Sequence, residues 1–165
     1  MARIKVPLYL ISILLFMLIL PLASVIFEWL AHTSLFGWAL IGKWFVFWAL
    51  GVRLFIAGIR QVTKPEFTAK EIFHISGSES FVIIKELGFA NLSFGLIGML
   101  SLLKVEWREA AAIAGGAYFG LAGILHLSKK RDSANEVIAM ISDLFIFAIL
   151  LAYLFFTLFS CKNVG

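Results

Sequence analysis

The chain has 165 residues, of which 62% are hydrophobic and 15% are charged, and its mean hydropathy is +1.00. This composition indicates a membrane protein and excludes a disordered chain, a collagen-like repeat and, with one cysteine, a disulfide framework or thiolate metal cluster. The net charge of +4 does not indicate nucleic-acid binding, because most Lys and Arg residues lie in loops between apolar runs.

Five apolar stretches are long enough to cross a hydrocarbon layer about 30 Å thick. They cover residues 6–27, with Pro21 inside, then 35–59, 86–103, 110–127 and 137–159. Nothing between them is long enough for a soluble domain. The sequence therefore predicts an all-α integral membrane protein, in which residues 1–165 form one transmembrane domain, a bundle of five helices.

The distribution of basic residues between alternate loops predicts the orientation of the bundle. Three basic residues lie on one side of the predicted membrane, namely Lys104, Arg108 and Lys162. Nine lie on the other side, namely Arg3, Lys5, Arg60, Lys64, Lys70, Lys85, Lys129, Lys130 and Arg131. Positive residues favour the cytoplasmic side, so we expect the N-terminus to be cytoplasmic and the C-terminus to lie outside.

The longest loop, residues 60–85, is cytoplasmic in this arrangement and contains a helix signal. Thr68, Ala69, Lys70 and Glu71 form a capping-box pattern, which predicts a short amphipathic helix starting at Thr68. The apolar residues that follow, Ile72, Phe73 and Ile75, favour a position on the membrane surface.

Polar residues within or near the spans define the candidate site. Six fall in the cytoplasmic half: Arg53, Glu86, Asn91, His126, Glu136 and Asp143. An ionisable group inside a span costs at least a few kcal/mol unless it has a partner or water. Arg53 and Asp143 lie at the same depth, about 9 Å from the inner surface, so we predict that they pair.

Structural explanations for the same residues stay open. Glu86, His126 and Glu136 lie near enough to the interface to be solvated, and a buried Arg53–Asp143 pair can serve only to fix helix register. Lys43, nearer the outer side, can extend its amine to the interface. The histidines show no metal-binding spacing, and no nucleotide-binding or hydrolase motif is present, so the sequence predicts no metal site and identifies no cofactor.

Small residues recur on three spans and predict close helix packing. The fourth span carries Ala112, Gly116 and Gly120, the third carries Gly88, Asn91, Gly95 and Gly98, and the second carries Gly42, Ala49, Arg53 and Ala57. The fourth helix is expected to be a central packing element. Gly116→Leu is then expected to disrupt the fold, whereas Leu150→Ala on the fifth span is expected to be mild.

Several segments between residues 51 and 154 resemble a family of small bacterial membrane proteins of unknown function. They are Gly51-Val52-Arg53, Gly58-Ile59-Arg60-Gln61, residues 64–69, residues 86–91, Asn135-Glu136 and Ser142-Asp143-Leu144. More loosely, the Glu-Leu-Gly segment at residue 86 resembles DoxX-type proteins, some of which are partner subunits of redox complexes. The resemblance implies a bacterial plasma membrane and supplies no activity.

Three functions are compatible with these observations. The chain can bind a lipid, a quinone or a partner protein through a polar pocket in the cytoplasmic half. It can be a proton-coupled transporter that uses Arg53 and Asp143, or an enzyme acting on a lipid-like substrate with a carboxylate or His126 as general base. The expected partners are membrane lipid and a small apolar ligand or membrane protein, without nucleic acid; an oligomer and a monomer both stay open.

Overall fold

The computed structural model describes residues 8–32, 36–73, 75, 77–128 and 134–160, and within them it contains helices and no strand. The first long helix covers residues 8–32 and the second covers residues 38–63. The third is Ser80–Leu100, the fourth Trp107–Ser128 and the fifth Ala134–Ser160. Each is long and apolar enough to cross a membrane, which confirms the predicted number of helices of that kind.

The helices extend further than the predicted spans at several ends. The second helix continues to Thr63, the third begins at Ser80, and the fifth begins at Ala134. Hydropathy places a span's end where charged residues begin, but backbone hydrogen bonding continues past them. Lys85 and Glu86 therefore lie inside the third helix, where both are exposed.

The first helix passes through Pro21 without ending. Proline lacks a backbone N–H, and its ring crowds the carbonyl four residues before it. Leu15–Ile19, just before the proline, forms a π-helical turn in which the Leu20 N–H donates to the Leu15 carbonyl. This wider turn accommodates the buried Pro21 ring, and the helix continues to His32.

The second helix is the most buried of the five, with a buried share of 44% against 39% for the fourth. It too contains a π-helical segment, Val46–Val52. Phe45, Val46, Ala49 and Leu50 form a core with residues of the first, fourth and fifth helices. The fourth helix does bury its small-residue face, as predicted, but the second helix is the more central element.

The closest backbone contact joins the second and third helices through glycines. A Cβ atom added at Gly95 would lie 2.5 Å from the Phe55 backbone N, and one at Gly98 would lie 2.7 Å from the Gly51 Cα. Gly58 and Gly88 form a similar contact nearer the other end of the pair. The glycines of the third helix were predicted to form a packing face, but their partners Gly51 and Gly58 were not.

The fourth and fifth helices form the second tightly packed pair. Gly120 faces the Phe147 ring, Gly123 faces Leu144, and Gly116 lies beneath Leu150. Leu150 is fully buried in the core. The expectation that Leu150→Ala is mild is therefore wrong, since removing a fully buried leucine side chain costs about 2–5 kcal/mol.

A short loop helix covers residues 65–72, and its start differs from the prediction. The helix begins with Pro65 as its first residue, a position that tolerates a missing N–H, and continues through the π-helical turn Thr68–Ile72. The predicted capping box at Thr68 is therefore wrong, because Thr68 lies inside the helix and makes no capping hydrogen bond. Pro65, Thr68 and Ala69 are buried against the bundle, so this face of the helix is covered by protein.

A polar contact joins the first two helices in the half away from the loop helix. Lys43 Nζ donates to both carboxylate oxygens of Glu28, at 2.8 and 2.7 Å, and Trp44 Nε1 donates to Glu28 Oε2 at 2.7 Å. The sequence suggested that Lys43 reaches for the interface. Instead it makes an ion pair that neutralises Glu28 inside the first helix.

Candidate functional site

A cavity of about 600 Å³ lies among all five long helices and the loop helix. Its walls are largely apolar, formed by residues such as Phe16, Leu54 and Phe119. The polar side chains that line it come from every element: Ser12, Arg53, Arg60, Gln61, Thr68, Asn91, Tyr118, His126 and Asp143. Apolar walls with a few convergent polar groups are typical of sites that bind small molecules.

Asn91 is the polar centre of this cavity. It is only 3% exposed, and its Nδ2 donates to Gln61 Oε1 at 2.7 Å. This bond fixes the amide, whereas Asn91 Oδ1 is buried and accepts no hydrogen bond from the part of the chain that the structure describes. A buried acceptor without a donor costs about 1–3 kcal/mol. The Tyr118 side chain also contacts this amide, so three helices meet at Asn91.

Charged side chains of both signs face the same space. Asp143, on the fifth helix, is 8% exposed, and Arg53, on the second, is half-buried and acts electrostatically on it. Within the described ranges, however, no hydrogen bond or ion pair joins them. The predicted direct pair is therefore absent. Equal depth along two helices determines only how far each side chain lies from the membrane surface, and not whether the two side chains meet. Here both side chains face a shared cavity.

Four of the six predicted site residues line this cavity, namely Arg53, Asn91, His126 and Asp143. Glu86 is not among the residues that line the cavity. It is exposed on the third helix, five residues before Asn91, and five residues turn an α-helix by about 140° past a full turn. The two side chains therefore point in different directions.

Glu136 is the sixth predicted residue, and it lies outside the cavity wall. It is half-buried in the first turn of the fifth helix, two turns before Asp143. The seven-residue spacing does put the two carboxylates on one face. The cavity, however, ends above the level of Glu136, at Ala139.

Sequence reasoning missed five polar cavity residues, namely Ser12, Arg60, Gln61, Thr68 and Tyr118. A signal was available for Arg60, which follows Arg53 by seven residues and so shares its helical face. Gln61 adjoins it in the Gly58-Ile59-Arg60-Gln61 segment, but no local pattern indicates that its partner is Asn91, thirty residues away. Tyr118 lies in a run of small residues that looked like pure packing.

The loop helix covers one end of the cavity. Phe67, Thr68 and Phe73 line it, and the Arg60 guanidinium carbon lies 3.6 Å from the centre of the Phe67 ring. A cation over an aromatic face is attractive by about 0.5–1 kcal/mol at an exposed site. Arg60 therefore joins the end of the second helix to the loop helix at the rim of the cavity.

The opposite boundary of the cavity opens sideways. Ile56, Leu121 and Leu125 line the cavity and are also exposed on the outer surface of the bundle, by 46%, 70% and 49%. The inner part of the second helix, Arg53–Thr63, which carries Ile56, makes few contacts with the fourth helix. The cavity therefore reaches the apolar exterior between the second and fourth helices.

Among the described residues, no group of three or more His, Cys, Asp or Glu side chains is placed to hold a metal ion. His126 and Asp143 are the only such groups in the described cavity wall.

One family model matches residues 10–164, and its description is "Family of unknown function (DUF6790)". No curated protein and no solved structure matches the chain.

Proposed function

The chain belongs to the DUF6790 family of unknown function, and from the geometry of its cavity we propose that it binds an amphiphilic small molecule of the membrane, a lipid or a quinone. The protein is an integral membrane protein in this proposal, with the cavity in the cytoplasmic half of the bundle and a bacterial plasma membrane as its location. The observation that carries the proposal is the largely apolar cavity that the polar side chains of Arg53, Asn91 and Asp143 line together.

The shape of the cavity supports an amphiphile over a water-soluble ligand. Its polar groups converge on the interior, whereas its sideways opening is bounded by Ile56, Leu121 and Leu125. A molecule with a polar head and an apolar tail would satisfy both regions at once. The volume of about 600 Å³ lies in the range of small-molecule pockets.

The orientation is supported by charge. The end of the bundle that carries the cavity also carries Arg60, Lys64, Lys70 and Lys85 in or near the loop. Basic residues favour the cytoplasmic side, so the cavity is assigned to that half.

Filling the cavity tests the proposal. Ala122 lines it on the fourth helix, and Ala117, on the same helix, is exposed outside it. Wild type, Ala122→Phe and Ala117→Phe would be purified in one detergent, extracted with organic solvent and analysed for lipids and quinones by mass spectrometry. We expect Ala122→Phe to retain about tenfold less of the specifically bound molecule, equivalent to 1.4 kcal/mol of steric penalty.

Ala117→Phe is the matched control and should retain as much as the wild type. Ala57→Phe, on the second helix, provides an independent cavity substitution should Ala122→Phe not fold. Equal content in the wild type and in a folded cavity variant would refute the proposal.

A further inference from the structure

We infer that the bound molecule is a phospholipid whose headgroup joins a phosphate to a hydrogen-bond donor, as in phosphoethanolamine or phosphoglycerol, and that it enters sideways between the second and fourth helices. This inference rests on the proposed function and goes beyond it by specifying the chemistry of the head.

The Asp143 carboxylate, which lines the cavity, requires a donor. It is buried and accepts no hydrogen bond from a described residue. A carbonyl-only head, such as an oxidised quinone, supplies no donor to it. An ammonium or a hydroxyl group supplies one.

Arg53 and Arg60, by contrast, need hydrogen-bond acceptors on the bound molecule. Arg53 donates no hydrogen bond to any residue in the described ranges, although its guanidinium carries five N–H donors. Arg60 lies two turns closer to the rim on the same face, about 10 Å along the helix. The planar guanidinium fork matches phosphate oxygens in pairs. Two arginines on one wall therefore favour a phosphate.

The two requirements are met together because Arg53, Asn91 and Asp143 line one cavity. A lone anion would leave Asp143 without a donor and add repulsion, and a lone cation would be repelled by Arg53. A head with an anionic oxygen next to a donor complements both. Phosphocholine fails this requirement, because its quaternary ammonium carries no N–H.

The sideways opening determines how such a lipid enters. Leu121 and Leu125 are exposed to the exterior and also line the cavity. A two-chain lipid is too large to fit entirely within about 600 Å³, so its head occupies the interior and its chains extend through the opening. The head never has to cross the apolar core of the protein.

A lipid competition experiment tests this chemistry on the full chain. Purified wild-type protein would be equilibrated with mixed vesicles holding equal amounts of phosphatidylethanolamine, phosphatidylglycerol and phosphatidylcholine with identical acyl chains. Native mass spectrometry would then measure the lipid retained. We expect each donor-bearing lipid to exceed phosphatidylcholine by about three- to tenfold, the effect of one net hydrogen bond.

Asp143→Asn distinguishes the two donors. It keeps the shape of the side chain and removes the charge that favours an ammonium, so the ratio of phosphatidylethanolamine to phosphatidylglycerol should fall. Glu86→Gln removes an exposed carboxylate outside the cavity and should leave the ratio unchanged.

Equal retention of the three lipids by the wild type would overturn the headgroup assignment, and it would leave the proposed function intact if Ala122→Phe still lost lipid. Failure of both measurements would remove the site altogether. The wild-type comparison needs no variant to fold.

Discussion

Glu28 places a carboxylate in the first helix, which is otherwise apolar, and side chains of the second helix compensate its charge. Its two oxygens receive Lys43 Nζ and its Oε2 also receives Trp44 Nε1. Both charged side chains are partly accessible, at 20% for Glu28 and 26% for Lys43. Their attraction is therefore weaker than that of a fully buried pair, but the three bonds fix the first helix against the second.

A double-mutant cycle at this contact should reveal the coupling. Glu28→Gln and Lys43→Met are each expected to lower thermal stability in detergent, and the double variant should lose less than the sum. The expected coupling is about 0.5–3 kcal/mol, the range for residues in direct contact. The exposed neighbours Lys85 and Glu86 supply a control cycle that should be additive, because adjacent helical residues do not face each other. Additive losses at Glu28 and Lys43 would mean that the contact contributes nothing.

At the scale of residues, the sequence predicted which polar groups lie deep but not which way they point. Arg53, Asn91 and Asp143 were identified because an apolar span makes each polar residue conspicuous. Glu86 was included on its depth alone, without its angle around the helix, and it lies outside the cavity wall. The Asn91–Gln61 bond, which orients the cavity's amide, depends on two helices meeting and has no local signature.

The second and third helices make the closest backbone-to-backbone approach at any described glycine. At Gly95 all the nearest atoms to an added Cβ are backbone atoms of Phe55 and Gly51, which have no side-chain freedom to move aside. At Gly116, on the fourth helix, the nearest atom is Leu150 Cβ at 3.6 Å, an ordinary contact distance.

Two alanine substitutions should therefore differ sharply. Gly95→Ala is expected to destabilise the protein by about 1–3 kcal/mol, the usual cost of overpacking, or to force the two helices apart. Gly116→Ala is expected to leave the melting temperature in detergent nearly unchanged. A melting temperature for Gly95→Ala equal to that of the wild type would show that the glycine contact is not tight.

At the scale of helices, hydropathy predicted their number correctly and their internal geometry poorly. The π-helical segment Val46–Val52 widens the second helix just before Arg53. Each extra residue in a helical turn rotates the side chains that follow it by about 100° around the helix axis, relative to a regular α-helix. A helix face that is assigned by counting 3.6 residues per turn from Gly42 is therefore wrong for the residues after this segment. For this reason Gly51 and Gly58 were missed as partners of the third helix.

For the whole molecule, the distribution of charge supplies an orientation that reporter fusions can check. A periplasmic-side reporter fused after Leu35, or after Gly165, should be active, because both positions follow an odd number of spans from a cytoplasmic N-terminus. A cytoplasmic-side reporter should be active after Lys70, in the loop that covers the cavity. A cytoplasmic signal from the C-terminal fusion would invert the assignment and place the cavity on the outer side.

The helices pack as two tight pairs, the second with the third and the fourth with the fifth, whereas contacts between the third and fourth are sparse. A force that separates the helices therefore meets fewer contacts between the pairs, along the wall of the cavity, than within either pair. If the chain spans a bilayer as proposed, lateral pressure from the lipids would change the distance between the pairs before it disturbed the glycine contacts.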